Sequence, residues 1–181
     1  MKKINLVFLF IAGLIFIFGA QDLYAGEVGA RYSEAVRCIK AKQPDFAFME
    51  FRSIIRDFPK SSFAQKSIFA MAEYCYDNGM YYDAITNFTG YINNYPGSKA
   101  NVFAKAYLLK IMEEIEDPSW EEKRMLENAK RDFFSKPLFL LFKEYKETSY
   151  RSALWNNFKI RYYIDNVEVY RNGQLFVKVT P

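Results

Sequence analysis

With 181 residues, 51% of them hydrophobic and 19% aromatic, the chain holds enough apolar side chain to bury one substantial core, which argues against disorder. The net charge of +4 comes without any dense run of Lys or Arg, so a nucleic-acid partner is not expected. There is no histidine, which removes His-based triads, His metal sites and imidazole acid–base chemistry, and two distant cysteines cannot make a structural zinc site.

Residues 1–25 follow the three-part order of a signal peptide: Lys2 and Lys3, an apolar stretch from Leu6 to Phe18, then Leu23-Tyr24-Ala25 before Gly26, with a cut after Ala20 or Ala25. The apolar stretch falls short of the about 20 residues that a membrane span needs, so export to the periplasm is expected. A retained inner-membrane anchor over residues 4–20 is the alternative. No cysteine stands near the cut, so a lipid-attachment site is not expected, and membrane contact would be indirect or through that anchor.

Helical spacing predicts a first helix over 27–41, carrying Tyr32, Ala35, Val36 and Ile39 on one face, and a second over 45–57 with Ala47, Phe48, Phe51 and Ile54. A third spans 62–78 and stops at Gly79, a fourth covers 81–94, and a fifth over 98–116 presents Ala104, Leu108, Ile111 and Ile115. One pattern is written twice through these helices: Ala47, Phe51, Ile55 and Pro59 recur 37 residues on as Ala84, Phe88, Ile92 and Pro96 (84 − 47, 88 − 51, 92 − 55, 96 − 59). The same offset pairs Ala35 with Ala72 and Cys38 with Cys75. A period in the thirties indicates a helical solenoid, whose helix pairs cover their apolar faces by stacking. Ala35 against Ala47, and Ala72 against Ala84, let paired axes approach to roughly 8 Å, while Phe51 and Phe88 fill the wedge between pairs. Pro59 and Pro96 end the second helix of each pair.

This order of small, small, aromatic and proline resembles the tetratricopeptide repeat, with Ile68, Met71 and Cys75 where Trp, Leu and Tyr are usual. The aromatic-Pro-x-Ser links, Phe58-Pro59-Lys60-Ser61 and Tyr95-Pro96-Gly97-Ser98, look like those of the BamD-like outer-membrane assembly lipoproteins and the Tol-Pal accessory type. The likeness covers about residues 28–115 and implies an all-α, right-handed solenoid of about six or seven helices, its repeats filling residues 26–116, to which the pattern of the tail adds a small C-terminal β-hairpin. It also implies a concave peptide-binding groove, which on this sequence is Tyr32, Val36, Ile39 and Lys40, then Lys66, Phe69, Glu73 and Tyr76, then Phe103, Ala106 and Lys110. Phe69 and Phe103 read equally well as core, and the lysines as plain surface. An oxidising compartment raises a Cys38–Cys75 bridge, but equivalent positions on neighbouring helices lie about 8–10 Å apart, beyond the about 7 Å that a disulfide allows.

Beyond Asp117-Pro118 the offset fails, since it leads from Ala84 and Phe88 to Glu121 and Met125. Residues 117–158 are expected as degenerate capping helices. The first starts at the capping box Ser119-x-x-Glu122 and carries Met125, Leu126, Ala129 and Phe133; the second opens at Ser135-Lys136-Pro137 with Leu138, Leu141, Phe142 and Tyr145 on one face. Residues 159–181 change to alternation, with Ile160, Tyr162 and Ile164, then Val167 and Val169, then Leu175, Val177 and Val179 at every second position, and Asn172-Gly173 predicts a hairpin. That hairpin docks on the last helices, gains a third strand from 159–164, or pairs with another chain.

No catalytic residue, cofactor or metal site is expected: the carboxylate pairs Glu113-Glu114 and Glu121-Glu122 point about 100° apart on helices, and no Gly-rich phosphate loop occurs. The expectation is a non-catalytic periplasmic interaction module for a protein or peptide of the cell envelope, with the resemblance pointing to outer-membrane biogenesis or envelope maintenance. A peptidoglycan or glycan binder stacking sugars on Trp120 and Trp155 is the alternative.

Overall fold

A computed structural model describes residues 26–134, 148–163 and 165–180; the expected signal segment and the expected helix bearing Leu138 to Tyr145 lie outside them. Helix α1 occupies residues 26–40, followed by α2 (Pro44–Asp57), α3 (Ser62–Asp77), α4 (Tyr81–Asn94), α5 (Asn101–Glu114) and α6 (Trp120–Phe134), with successive helices packed as hairpins. Local chemistry sets their ends. Pro44 opens α2, Ser61 Oγ accepts from the Ala64 N–H at 3.0 Å to cap α3, and Gly79 takes a φ of 71° after it. At α6 both halves of the capping box are made, Ser119 N–H to Glu122 at 2.6 Å and Glu122 N–H to Ser119 Oγ at 3.3 Å. Helix α5 starts three residues later than the spacing predicts, at Asn101, whose side-chain amide donates to the carbonyls of Tyr95 and Pro96 and holds the intervening turn.

Ala35, Ala47, Ala72 and Ala84 are all fully buried, as are Phe51 and Phe88, while Pro59 and Pro96 stand in exposed turns just past α2 and α4. Cys38 and Cys75 are buried free thiols.

The C-terminal part corrects the all-α expectation. It is a four-stranded antiparallel sheet in the order β1-β2-β3-β4, formed by β1 (Thr148–Arg151), β2 (Asn157–Tyr162), β3 (Val167–Arg171) and β4 (Gln174–Val179). Strand β1 and the first residues of β2 fall inside the stretch expected as capping helix, because Thr-Ser-Tyr-Arg is too short for its alternation to be read. The β3–β4 turn is as the sequence indicates: Asn172 and Gly173 have φ of 53° and 83°, the left-handed pair that a two-residue hairpin requires. Leu175 departs from the expected alternation. The pairing steps from Val169↔Val177 to Tyr170↔Leu175, leaving Phe176 as an extra residue, so Phe176 turns inward and Leu175 is 53% exposed.

Two cores result. The larger joins Phe69, Phe88, Phe103 and Tyr107 of the helices to Phe158, Ile160, Val167, Val169, Val177 and Val179 of the sheet; the smaller lies among α1, α2 and one side of α3, around Ala35, Ala47, Phe51, Ile54, Ala64 and Ala70. Burial stabilises by about 1.5–3 kcal/mol for each such ring or branched side chain.

Candidate functional site

The first helix of each pair, α1, α3 and α5, carries the residues expected to line a groove. Over α3 and α5 the chain's own sheet lies on that face. Phe69 and Phe103 are buried, and both meet Tyr150 and Phe158: ring centroids are 5.3 and 6.4 Å away from Phe69, and 5.7 and 5.2 Å away from Phe103. Tyr76 packs edge-on to Phe176 at 5.7 Å, and Ala106 is fully buried. Lys110 at the far end is taken up by Glu113 and Glu114 at 3.2 and 3.6 Å.

Glu73 is the electrostatic centre of this junction. It is 0% exposed; Oε1 accepts from Tyr107 Oη and Asn156 Nδ2, each at 3.1 Å, while Oε2 lacks a hydrogen bond of ordinary geometry. Burial pushes its carboxyl up to about 7, with Ser152, Arg171, Asn156 and Tyr107 pulling the other way. One turn along α3, Asp77 receives two bonds from the Arg171 guanidinium at 2.6 and 2.7 Å, and that guanidinium lies over the rings of Tyr107, Tyr76 and Phe176. Burial disfavours the Arg171 charge, yet the Asp77 bonds hold its basicity above the ordinary value.

Over α1 the face remains open. Tyr32, Val36 and Lys66 line a cleft of about 380 Å³ that the sheet side closes with Tyr150, Arg151 and Trp155, and the α4 side with Tyr91. Lys66 Nζ stands 5.7 Å from the Tyr32 ring centroid, and Lys40 reaches over Trp155 at 4.8 Å. Ile39 is half-buried against the smaller core. The structure therefore divides the expected groove: Tyr32, Val36, Lys40 and Lys66 come together around one open cleft, and Phe69, Glu73, Tyr76, Phe103 and Ala106 lie beneath the sheet. Tyr91, Tyr150 and Arg151 were not among the expected groove residues. The groove expectation covers first helices only, whereas Tyr91 stands on a second helix, and a four-residue strand leaves no periodic trace. The cleft offers rings, cations, amides and hydroxyls but no nucleophile next to a base, and no group of three metal-ligating side chains occurs among the described residues. Its chemistry is that of binding.

Among protein families, the model for YfiO, an outer membrane lipoprotein, matches residues 24–159, which takes in α1 to α6 and β1 of the described residues and stops within β2. No curated protein and no solved structure matches the chain.

Proposed function

Because the chain belongs to the YfiO family of outer membrane lipoproteins, we propose that it acts as a periplasmic adaptor in outer-membrane assembly or envelope maintenance, with the cleft beside α1 as the seat of a protein partner. The family is non-catalytic. What carries the reading is the asymmetry of the groove: the α3 and α5 end is sealed by the chain's own sheet, and the α1 end stays open and ring-lined. Rigid aromatic rings give large contact area at small entropy cost, and the Gln65 and Ser98 side chains in the same cleft can bond a partner's backbone.

Export by residues 1–25, or anchoring by residues 4–20, belongs to the same proposal. No helix among the described residues is long and apolar enough to cross a membrane. The two cysteines are buried in α1 and α3, and in this reading membrane contact is indirect, through the partner, or runs through an inner-membrane anchor over residues 4–20.

The test places a photo-crosslinking side chain at Tyr32 or Val36, with exposed Thr86 on α4 as the control, and exposes the full chain to an envelope extract. A discrete protein adduct from the first two positions and none from the third is the expected result. Retention on purified cell-wall sacculi with no protein adduct would replace this reading by glycan binding through Trp120 and Trp155, which are 66% and 43% exposed.

A further inference from the structure

Many cations on this molecule are neutralised locally. Arg31, Arg37, Arg56, Arg171 and Lys178 each have a carboxylate within 4 Å, and so does Lys110. Lys40, Lys66 and Arg151 are different. Among the described residues none of them pairs with a carboxylate; their partners are the rings of Trp155, Tyr32 and Phe63 and the amide of Asn157, and no Asp or Glu lines the cleft they surround.

Trp155 supplies a second, independent observation. Its φ is 65°, a left-handed conformation that a bulky side chain adopts only under strain. A ring held that way for packing would be buried, but this one is 43% exposed at the cleft mouth. The turn around it is heavily fixed: Ser152 N–H donates to the Asn156 carbonyl at 3.0 Å, Trp155 N–H to the Ser152 carbonyl at 3.1 Å, and the Asn156 amide to buried Glu73 at 3.1 Å. Arg151, with its Nε on Asn157 at 2.8 Å, and Lys40 flank the indole at 5.0 and 4.8 Å.

We propose that this cleft selects an acidic segment of the partner polypeptide, its carboxylates held between Lys66 and Arg151 and its apolar side chains packed on Trp155 and Tyr32. The proposal rests on the adaptor reading and adds the chemistry of the ligand. At about 380 Å³ the cleft is at the small end of ligand-site sizes, so it accepts a short extended segment rather than a folded face. Unpaired cations on aromatic platforms gain a strong charge-assisted bond when a carboxylate arrives, and they repel a basic segment.

The chain has only two tryptophans, so Trp120→Phe leaves Trp155 as the sole indole reporter in the full-length protein. It is titrated with a soluble peptide alternating Glu and Leu, with the Gln/Leu isostere and with the Lys/Leu counterpart. Saturable change in indole emission with the Glu peptide is expected, at least about tenfold tighter than with the isostere and weakening as salt rises. Reversing both charges in Lys66→Glu with Arg151→Glu should invert the preference toward the Lys peptide. Trp155→Gly, followed by calorimetry, should weaken the Glu peptide roughly 30-fold while the melting temperature holds or rises, since glycine tolerates the backbone conformation. Equal affinity for Glu and Gln peptides, or no titration by any peptide, overturns the acidic selectivity and leaves the adaptor reading to its crosslinking test. Binding of phosphatidylglycerol vesicles or sacculi in place of peptide overturns both.

Discussion

Glu73 couples the joint between helices and sheet to pH. Its carboxyl lies at about 7 in the folded protein against an ordinary value of 4.5, so the folded state holds the proton more tightly than the unfolded chain. The contribution is therefore fully favourable below the ordinary value and is lost as pH rises through about 7, by roughly 3 kcal/mol in all. Asp57 works in the other direction and in another window. Its hydrogen bonds from Arg56 and Arg31 lower it from 3.8 to about 2, so its contribution is present above 3.8 and disappears as pH falls through about 2. Thermal melts between about pH 5 and 8 should show a falling melting temperature, and Glu73→Gln should flatten that slope and raise stability at the alkaline end. A flat profile in the unsubstituted protein would contradict it. At this scale the sequence is informative about position and silent about environment: Val36, Glu73 and Lys110 are equivalent by the offset of 37, which puts Glu73 on the groove face. Its partner Asn156 is 83 residues away and carries no mark of the pairing.

Among the elements, the helix pairs are legible because close approach demands a tiny side chain at fixed places and a large ring one turn on. Ala72→Leu or Ala84→Leu at these fully buried positions should overpack the α3–α4 contact and cost about 1–3 kcal/mol, measured as a shift in the denaturant midpoint. The β3–β4 hairpin is legible for a different reason, since Asn-Gly is the pair that accepts two left-handed residues. Gly173 has φ of 83° and open space where a methyl group would sit, so Gly173→Ala should lose about 1 kcal/mol through the backbone alone. A loss much larger would mean a steric conflict that this geometry does not contain. The strand β1 and the inward turn of Phe176 escape pattern reading, the first by brevity and the second because a bulge shifts the alternation by one residue.

For the molecule as a whole, two separate cores imply unequal local stability. The α1–α2 pair packs in the smaller one against one side of α3, whereas the other side of α3, α4 to α6 and the sheet share a single continuous core. Native-state hydrogen exchange should therefore release amides of α1 and α2 before those of α3, α5, β2 and β3, and uniform protection would show the two cores to be energetically one. Nothing in the repeat pattern reveals that the sheet would lie against α3 and α5, because tertiary docking depends on shape and complementary rings rather than on period. The half of the groove left open is consequently also the half on the less protected pair, so ordering of α1 by a bound segment should raise its exchange protection.

The Arg171–Asp77 clasp closes a span of 94 residues. A ribosome adding about 5–20 residues per second needs roughly 5–20 s to cross that distance, and over most of it the rings of Phe69 and Phe103 lack the cover of Tyr150 and Phe158. The nascent chain thus spends its first seconds with a greasy flank bared to whatever chaperone or neighbour is close by, and its final strands close the gap only after synthesis is nearly done.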